Sequence, residues 1–268
     1  MSSLKTLSDA VEKYLRLPQF TVSIRRDQTR KQYAYLLRKL CSLPYNAATV
    51  GDIPTSKLKA SACQELYYLM IEQAQGEGVR AANYTVQVAV RAWNVLIKHD
   101  LLDKNPWSLV ERMQAAPRHT VWTNTDFETI LKTAFAESKW RNVGLLIRIN
   151  AELGQRAGDM RLVQWENFDL EQQLYVRESI EKTREHIPGI PISDNLKRMI
   201  VGQKEYYAFQ PWVVPNPYTM EPYTESGLRQ TFRRLARAAN ISDKLQFRDI
   251  RRTVLTDLAN HGATDNEM

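Results

Sequence analysis

The sequence predicts a mainly α protein with one small β-sheet, built as an all-helical N-terminal unit followed by an α+β unit. Three observations predict it. Apolar residues recur at the 3.6-residue spacing of amphipathic helices through most of the chain. Strand-like alternation is confined to residues 173–192. A basic stretch at residues 114–120, holding Pro117, Arg118 and His119, interrupts the helical pattern and reads as an exposed linker. It sets the units at residues 1–113 and 121–268.

The first helix is predicted over 7–15, with Ser8 as its cap. Arg25, Arg26, Arg30 and Lys31 then lead into a helix whose Tyr33, Leu36, Leu37 and Leu40 form a core face. Positive charge at a helix start opposes the macrodipole, at roughly 0.3–1 kcal/mol per charge. Phosphate binding is one benefit that would offset it, and a merely solvated basic face is the other reading. Residues 55–74 read as the next helix, with Leu66, Met70 and Ala74 in phase. Another opens at Asn83 or Thr85, carries Val86, Ala89, Val90, Trp93 and Ile97, and closes near Leu102 before Asp103-Lys104-Asn105-Pro106 turn chemistry.

After the linker, Thr125-Asp126-Phe127-Glu128 is a capping pattern for a new helix. Residues 141–154 form a half-apolar helix leading into 153–170, which reads as a helix with Arg156 and Asp159 on one face. An arginine held by a carboxylate is a poised anion receptor, although an ordinary surface ion pair has the same spacing. Residues 173–178 alternate around Leu174 and Val176 as a half-buried strand. Residues 181–184 form a polar turn, and 187–192 resume as a strand that Pro188 and Pro191 confine to an edge or bulge. Ser193 or Asp194 caps a helix with Leu196, Met199, Ile200 and Tyr207, and residues 210–223 form a loop rich in proline and aromatics. The helix over 225–239 buries Leu228, Phe232, Leu235 and Ala239, and carries Arg229, Arg233 and Arg237 as a basic stripe. Such a stripe suits a DNA backbone or a solvated face. The last helix follows Phe247-Arg248-Asp249-Ile250-Arg251-Arg252-Thr253 and ends at Asn260-His261-Gly262.

The chain has 268 residues, 43% hydrophobic and 25% charged, which is a soluble globular balance. No apolar run is long enough to span a membrane, and no secretory leader stands at the N-terminus, so a cytoplasmic protein is expected. The net charge of +7 favours a polyanionic partner. Two cysteines, Cys41 and Cys63, sit among apolar neighbours and read as buried free thiols. No Cys/His spacing fits zinc and no glycine-rich phosphate loop is present, so neither metal nor cofactor is expected.

Three features stand in order: Arg156 with Asp159, Lys182 in the turn between two strands, and Arg251 inside Arg-Asp-Ile-Arg-Arg-Thr. This order resembles the tyrosine recombinase (phage integrase) family. The stretch Arg156-x-x-Asp159-Met160-x-x-Val163-x-Trp165-x-x-Phe168-Asp169, the strand–Lys182-Thr183–strand pattern ending Ile190-Pro191-Ile192-Ser193, and a segment similar to the family's His-x-x-Arg box carry the resemblance.

The resemblance implies a helical core-binding domain, then a catalytic domain that lacks its last helices. It implies double-stranded DNA as partner, a homo-oligomer on that DNA, and strand exchange through a phosphotyrosyl intermediate. Arg156 and Arg251 would neutralise the reacting phosphate, Lys182 would protonate the leaving oxygen, and Asp159 would orient Arg156. DNA backbone contacts would fall to Arg25, Arg26, Arg30, Lys31, Arg118, Arg229, Arg233 and Arg237.

Two departures stand out. Arg248 occupies the place of the box's histidine, and arginine can donate to phosphate but cannot serve as a base. None of the twelve tyrosines follows Arg251; the last is Tyr223. The sequence therefore leaves open a recombinase short of its nucleophile, a non-catalytic DNA-binding regulator or decoy, and a basic helical scaffold.

Overall fold

In the computed structural model, residues 4–74, 78–116, 119–176 and 189–264 are described. The chain divides into two compact units, Met1–Pro117 and Arg118–Met268, each around its own apolar cluster. The protein is mainly helical, with two small antiparallel sheets among the described residues.

In the N-terminal unit, α1 (Leu7–Arg16) is capped by Thr6 rather than Ser8. The Thr6 hydroxyl accepts from Asp9 N, and the Asp9 carboxylate accepts from Thr6 N, so the extended residue with an acid three positions on takes the cap. One turn, α2 (Pro18–Thr21), leads to α3 (Asp27–Cys41), which buries Leu37 and Leu40. A hairpin of two-residue strands, β1 (Pro44–Tyr45) and β2 (Ala48–Thr49), follows; it is too short to show a period in sequence. The helix expected from residue 55 begins later, as α4 (Ala60–Gln73). Thr55 is pinned to the N-terminal segment instead, its N–H on Lys5 O and its hydroxyl on Leu4 O.

The next helix, α5 (Val79–Lys98), starts before Asn83 and Thr85. Neither residue caps. Asn83 accepts from the Tyr67 hydroxyl and donates to Met113 O, and Thr85 donates back to Ala81 O. The helix stops short of Leu102, where Asp100 turns left-handed at φ 53°. Trp93 and Trp107 meet edge-to-face at 6.0 Å in this core. Of the two free thiols Cys63 is buried, whereas Cys41 is only half-buried.

In the C-terminal unit, α6 (Asn124–Ala136) is capped by the Thr123–Asp126 box, not from Thr125. It packs against α7 (Ser138–Leu153), where Gly144 lies so close that a Cβ there would meet the Ala134 methyl at 2.6 Å. The stretch 153–170 is not one helix. Gly154, at φ 59°, ends α7; Arg156 is the extended cap of a single turn, α8 (Ala157–Met160). The backbone then bridges Gln164 to Trp212 and enters β3 (Phe168–Asp169). Arg156 and Asp159 thus share one helix start rather than a continuous face.

Strands β3, β4 (Leu174–Tyr175) and β5 (Ile190–Pro191) pair antiparallel in that order, with Tyr175 opposite Phe168 on one side and Ile190 on the other. The strand's phase is the reverse of the sequence reading: Tyr175 is buried, while Leu174 is half-buried and Val176 exposed. Gln173, at φ 55°, sits in the turn just before β4. Pro191 sits on the outer described strand, where a missing N–H is tolerated.

Helix α9 (Asp194–Tyr207) is capped by Ser193, whose hydroxyl accepts from Leu196 N. Helix α10 (Glu225–Ala238) buries Leu228, Phe232, Leu235 and Ala236. Helix α11 (Asp249–Asn260) ends at His261-Gly262, with Gly262 at φ 89°. Its Thr253 hydroxyl accepts from Trp122 N at 2.8 Å, tying the start of the unit to its last helix. No described helix is long and apolar enough to cross a membrane.

Candidate active site

The site is built on the end of α7. Gly154 adopts the left-handed conformation and carries no Cβ, which lets α11 approach; a Cβ would lie 2.8 Å from Val254 Cγ1. Arg251 is three residues before Val254, hence on the same helix face, and its Nη1 donates to Gly154 O at 2.7 Å. The carbonyl that would have continued α7 therefore anchors a guanidinium two residues from Arg156. Burial holds the Arg251 pKa below the ordinary arginine value. The like charge of Arg156 lowers it further, and Asp159 works in the opposite direction. Two guanidiniums and a carboxylate thus share one electrostatic neighbourhood. Two like charges that act on each other favour an anion between them.

Glu152 braces this end of α7. Its Oε1 accepts from Ser193 Oγ at 2.8 Å and from Arg148 Nη2 at 2.5 Å, and its Oε2 accepts from Ser193 N at 3.1 Å. The last turn of α7 is thereby tied to the residue that joins β5 to α9. The sequence analysis did not single out Glu152; its Arg148 partner is one helical turn away, but Ser193 lies 41 residues away.

Arg248 is the exposed N-cap of α11 and borders a cleft of about 520 Å³. Arg229 and Arg233 of α10 border the same cleft, as does Arg161, which the sequence reading passed over. Arg161 donates from Nη1 to Tyr223 O at 3.1 Å. Arg237 is also exposed on α10 but is not among the cleft's lining residues, and its Nε lies 3.9 Å from Asp243 Oδ1. Lys182 and Arg118 lie outside the described residues.

In the N-terminal unit, Arg25 and Arg26 are exposed ahead of α3. Arg30 donates to Ile24 O at 2.7 Å and contacts Asp27, and Lys31 Nζ is 2.7 Å from Asp27. The acid in the first turn of α3 offsets the macrodipole conflict that those cations raised in sequence. Among the described residues no group of three or more His, Cys, Asp or Glu side chains gathers to hold a metal ion.

A sequence model of the phage integrase family matches residues 121–267, more than half of the chain. The chain belongs to that family. Within it, the chain is similar to tyrosine recombinase XerC of Pediococcus pentosaceus, at 24% identity over 182 residues. That match takes in 64% of this chain and 60% of the relative's length. Among solved structures, a lambda integrase dimer bound to a COC′ core site has a TM-score of 0.76 at 16% identity, covering 96% of this chain and 91% of that one. The Tn1549 transposon integrase in complex with a circular intermediate DNA also has a TM-score of 0.76 at 16% identity, with coverage of 97% and 88%. The integrase fold therefore extends over both units, and the family inferred from three short motifs is the family to which the chain belongs.

Proposed function

We propose that this chain is a DNA-handling recombinase polypeptide that grips a DNA phosphodiester between Arg156 and Arg251. The observation that carries this reading is the docking of Arg251 on Gly154 O, which fixes a second guanidinium beside Arg156. Preorganised cations aimed at developing phosphate charge are the largest lever available to a metal-free phosphoryl transfer. Lys182 is the proton donor to the leaving oxygen in this reading, and Asp159 orients Arg156. The integrases that share its fold are bound to DNA as a dimer and, on a Holliday junction, as a tetramer, which supports a homo-oligomer on duplex DNA.

A second reading is a DNA-binding module that does not cut, and its support is the state of Tyr223. Tyr223 is buried with its hydroxyl unpartnered, and burial pushes its pKa up, which disfavours the phenolate that attack on phosphorus would need.

Two measurements test the readings. Fluorescence anisotropy on a labelled duplex should show binding that weakens steeply from 50 to 200 mM salt, by about 10³-fold for roughly six phosphate contacts. Absence of binding at low salt would sink both readings. A nicked duplex that traps phosphotyrosyl adducts should yield none with this chain alone. An adduct would overturn the non-cutting module and return a tyrosine of this chain to the chemistry.

A further inference from the structure

Beyond the buried Val110, residues 111–116 form neither helix nor strand, and the side chains of Glu111, Arg112, Met113, Gln114 and Ala116 are exposed. Apolar burial therefore does little to hold this segment on the first unit. Its main chain is held instead, at three places, by side chains of α4 and α5. The Gln64 amide engages both backbone groups of Glu111: Glu111 N donates to Gln64 Oε1 at 2.8 Å, and Gln64 Nε2 donates to Glu111 O at 3.2 Å. Tyr67 and Asn83 together do the same for Met113. Met113 N donates to the Tyr67 hydroxyl at 2.8 Å, and Asn83 Nδ2 donates to Met113 O at 2.9 Å. The Tyr67 hydroxyl in turn donates to Asn83 Oδ1 at 2.8 Å, which locks the two side chains together. Finally, Arg80 Nη2 donates to Ala116 O. Gln64 with Tyr67 on α4, and Arg80 with Asn83 on α5, are pairs three residues apart, so each pair shares one helix face.

We propose that residues 111–116 are a releasable strap: docked, they belong to the first unit, and released, they lengthen the tether to the second. The grip is made of hydrogen bonds between polar groups near the surface, so it opens by local rather than global unfolding. It reads main chain and not side chain, which fixes the register without depending on the exposed side chains. In the docked state the tether runs from Ala116 to Trp122, whose N–H is fixed on Thr253 Oγ1. In the released state it runs from Val110. At roughly 3.3–3.6 Å per residue, the greatest reach rises from about 20 Å to about 40 Å. The separations open to the two units change while each unit keeps its own core.

The test is native-state trypsin digestion of the full chain, with mass spectrometry to follow cleavage after Arg112. Arg112 is exposed but stands between the two pinned residues, and a protease needs released main chain on both sides of the bond. Cleavage there should be slow in the wild-type chain. Gln64→Leu loses both bonds to Glu111 and should speed it about tenfold. Glu111→Pro removes one of those bonds from the strap side and leaves α4 untouched. Val110 already lies at φ −69° and ψ 122°, a conformation that suits the residue before a proline. This second variant should also speed the cut, and it decides the matter if Gln64→Leu folds poorly. Helix content and thermal midpoint should match wild type in both. Small-angle scattering should show a broader distance distribution, with the largest dimension up by as much as about 20 Å.

Rapid cleavage after Arg112 in the wild-type chain would mean that no strap is docked. Wild-type cleavage rates in both variants would mean that the grip does not control release. Cleavage that rises only as helix content falls would make the segment part of the helical fold. Faster cleavage with unchanged scattering would remove the change of reach.

Discussion

At the scale of single residues, Gly154 and Arg248 carry the sharpest expectations. Gly154 must hold φ 59° and leave room for Val254. Gly154→Ala should destabilise the C-terminal unit by about 1–3 kcal/mol, from left-handed strain and the clash together. Thermal unfolding measures it, and adding Val254→Ala should restore the part due to the clash. An unchanged midpoint would mean that α11 does not rest on Gly154. Arg248 concerns pH. Arginine offers hydrogen-bond donors and no base at that position. Arg248→His should make it titrate. The imidazolium is charged below about pH 6.5 and neutral above, so affinity should fall as pH rises through that range. A flat profile in the histidine variant would show that position 248 does not face the anion. Arg156 and Arg251 stood out in sequence only through the order of the motifs, because nearly a hundred residues separate Arg251 from the carbonyl it docks on. Arg161 and Glu152 were not readable. Each acts through a distant partner, Tyr223 for Arg161 and Ser193 for Glu152, that local spacing does not reveal.

At the scale of elements, helix existence was legible and helix starts were not. Capping residues compete for tertiary bonds. Asn83 looks like a cap in sequence, yet it accepts from the Tyr67 hydroxyl, which in turn accepts from Met113 N at 2.8 Å. That chain of bonds holds the segment after α5 against α4. Tyr67→Phe should therefore leave the Met113 amide without an acceptor and cost about 1–3 kcal/mol. Faster hydrogen exchange at Met113 with helix content unchanged would report it, and unchanged exchange would refute it. The length of α8 escaped the sequence for another reason: Arg156-x-x-Asp159 has helical spacing whether the helix is one turn or four, and only the left-handed Gly154 decides. The thiols of α3 and α4 add a pH expectation. Burial pushes Cys41 up to about 11 and Cys63 up to about 12. Both are neutral thiols at pH 8 and should react slowly with a thiol reagent until the chain unfolds. Because the folded values lie above the ordinary 9.0, this burial favours the folded state below pH 9 and loses that advantage as pH rises through 11–12.

At the scale of the whole molecule, two units with separate apolar cores place cations on separate bodies. In sequence, helical periodicity runs on both sides of a proline-bearing basic stretch. That pattern could not say whether both units meet one ligand. Exposed Arg25 and Arg26 belong to the first unit, and the arginine cleft belongs to the second. If both units bind the same duplex, charge removal in one should not alter the packing of the other, and the losses in log affinity should add. Arg25→Gln with Arg26→Gln should flatten the salt slope by about 2, Arg233→Gln with Arg248→Gln by about 2, and all four by about 4. Free energies at independent sites add to within roughly 0.5 kcal/mol. If the N-terminal pair changes nothing, that unit does not contact DNA through α3's approach, and affinity resides in the arginines of the second unit. If the four-fold variant loses no more than either pair, the two patches compete for one stretch of backbone. Additive loss is the outcome that a clamp closing on one duplex requires.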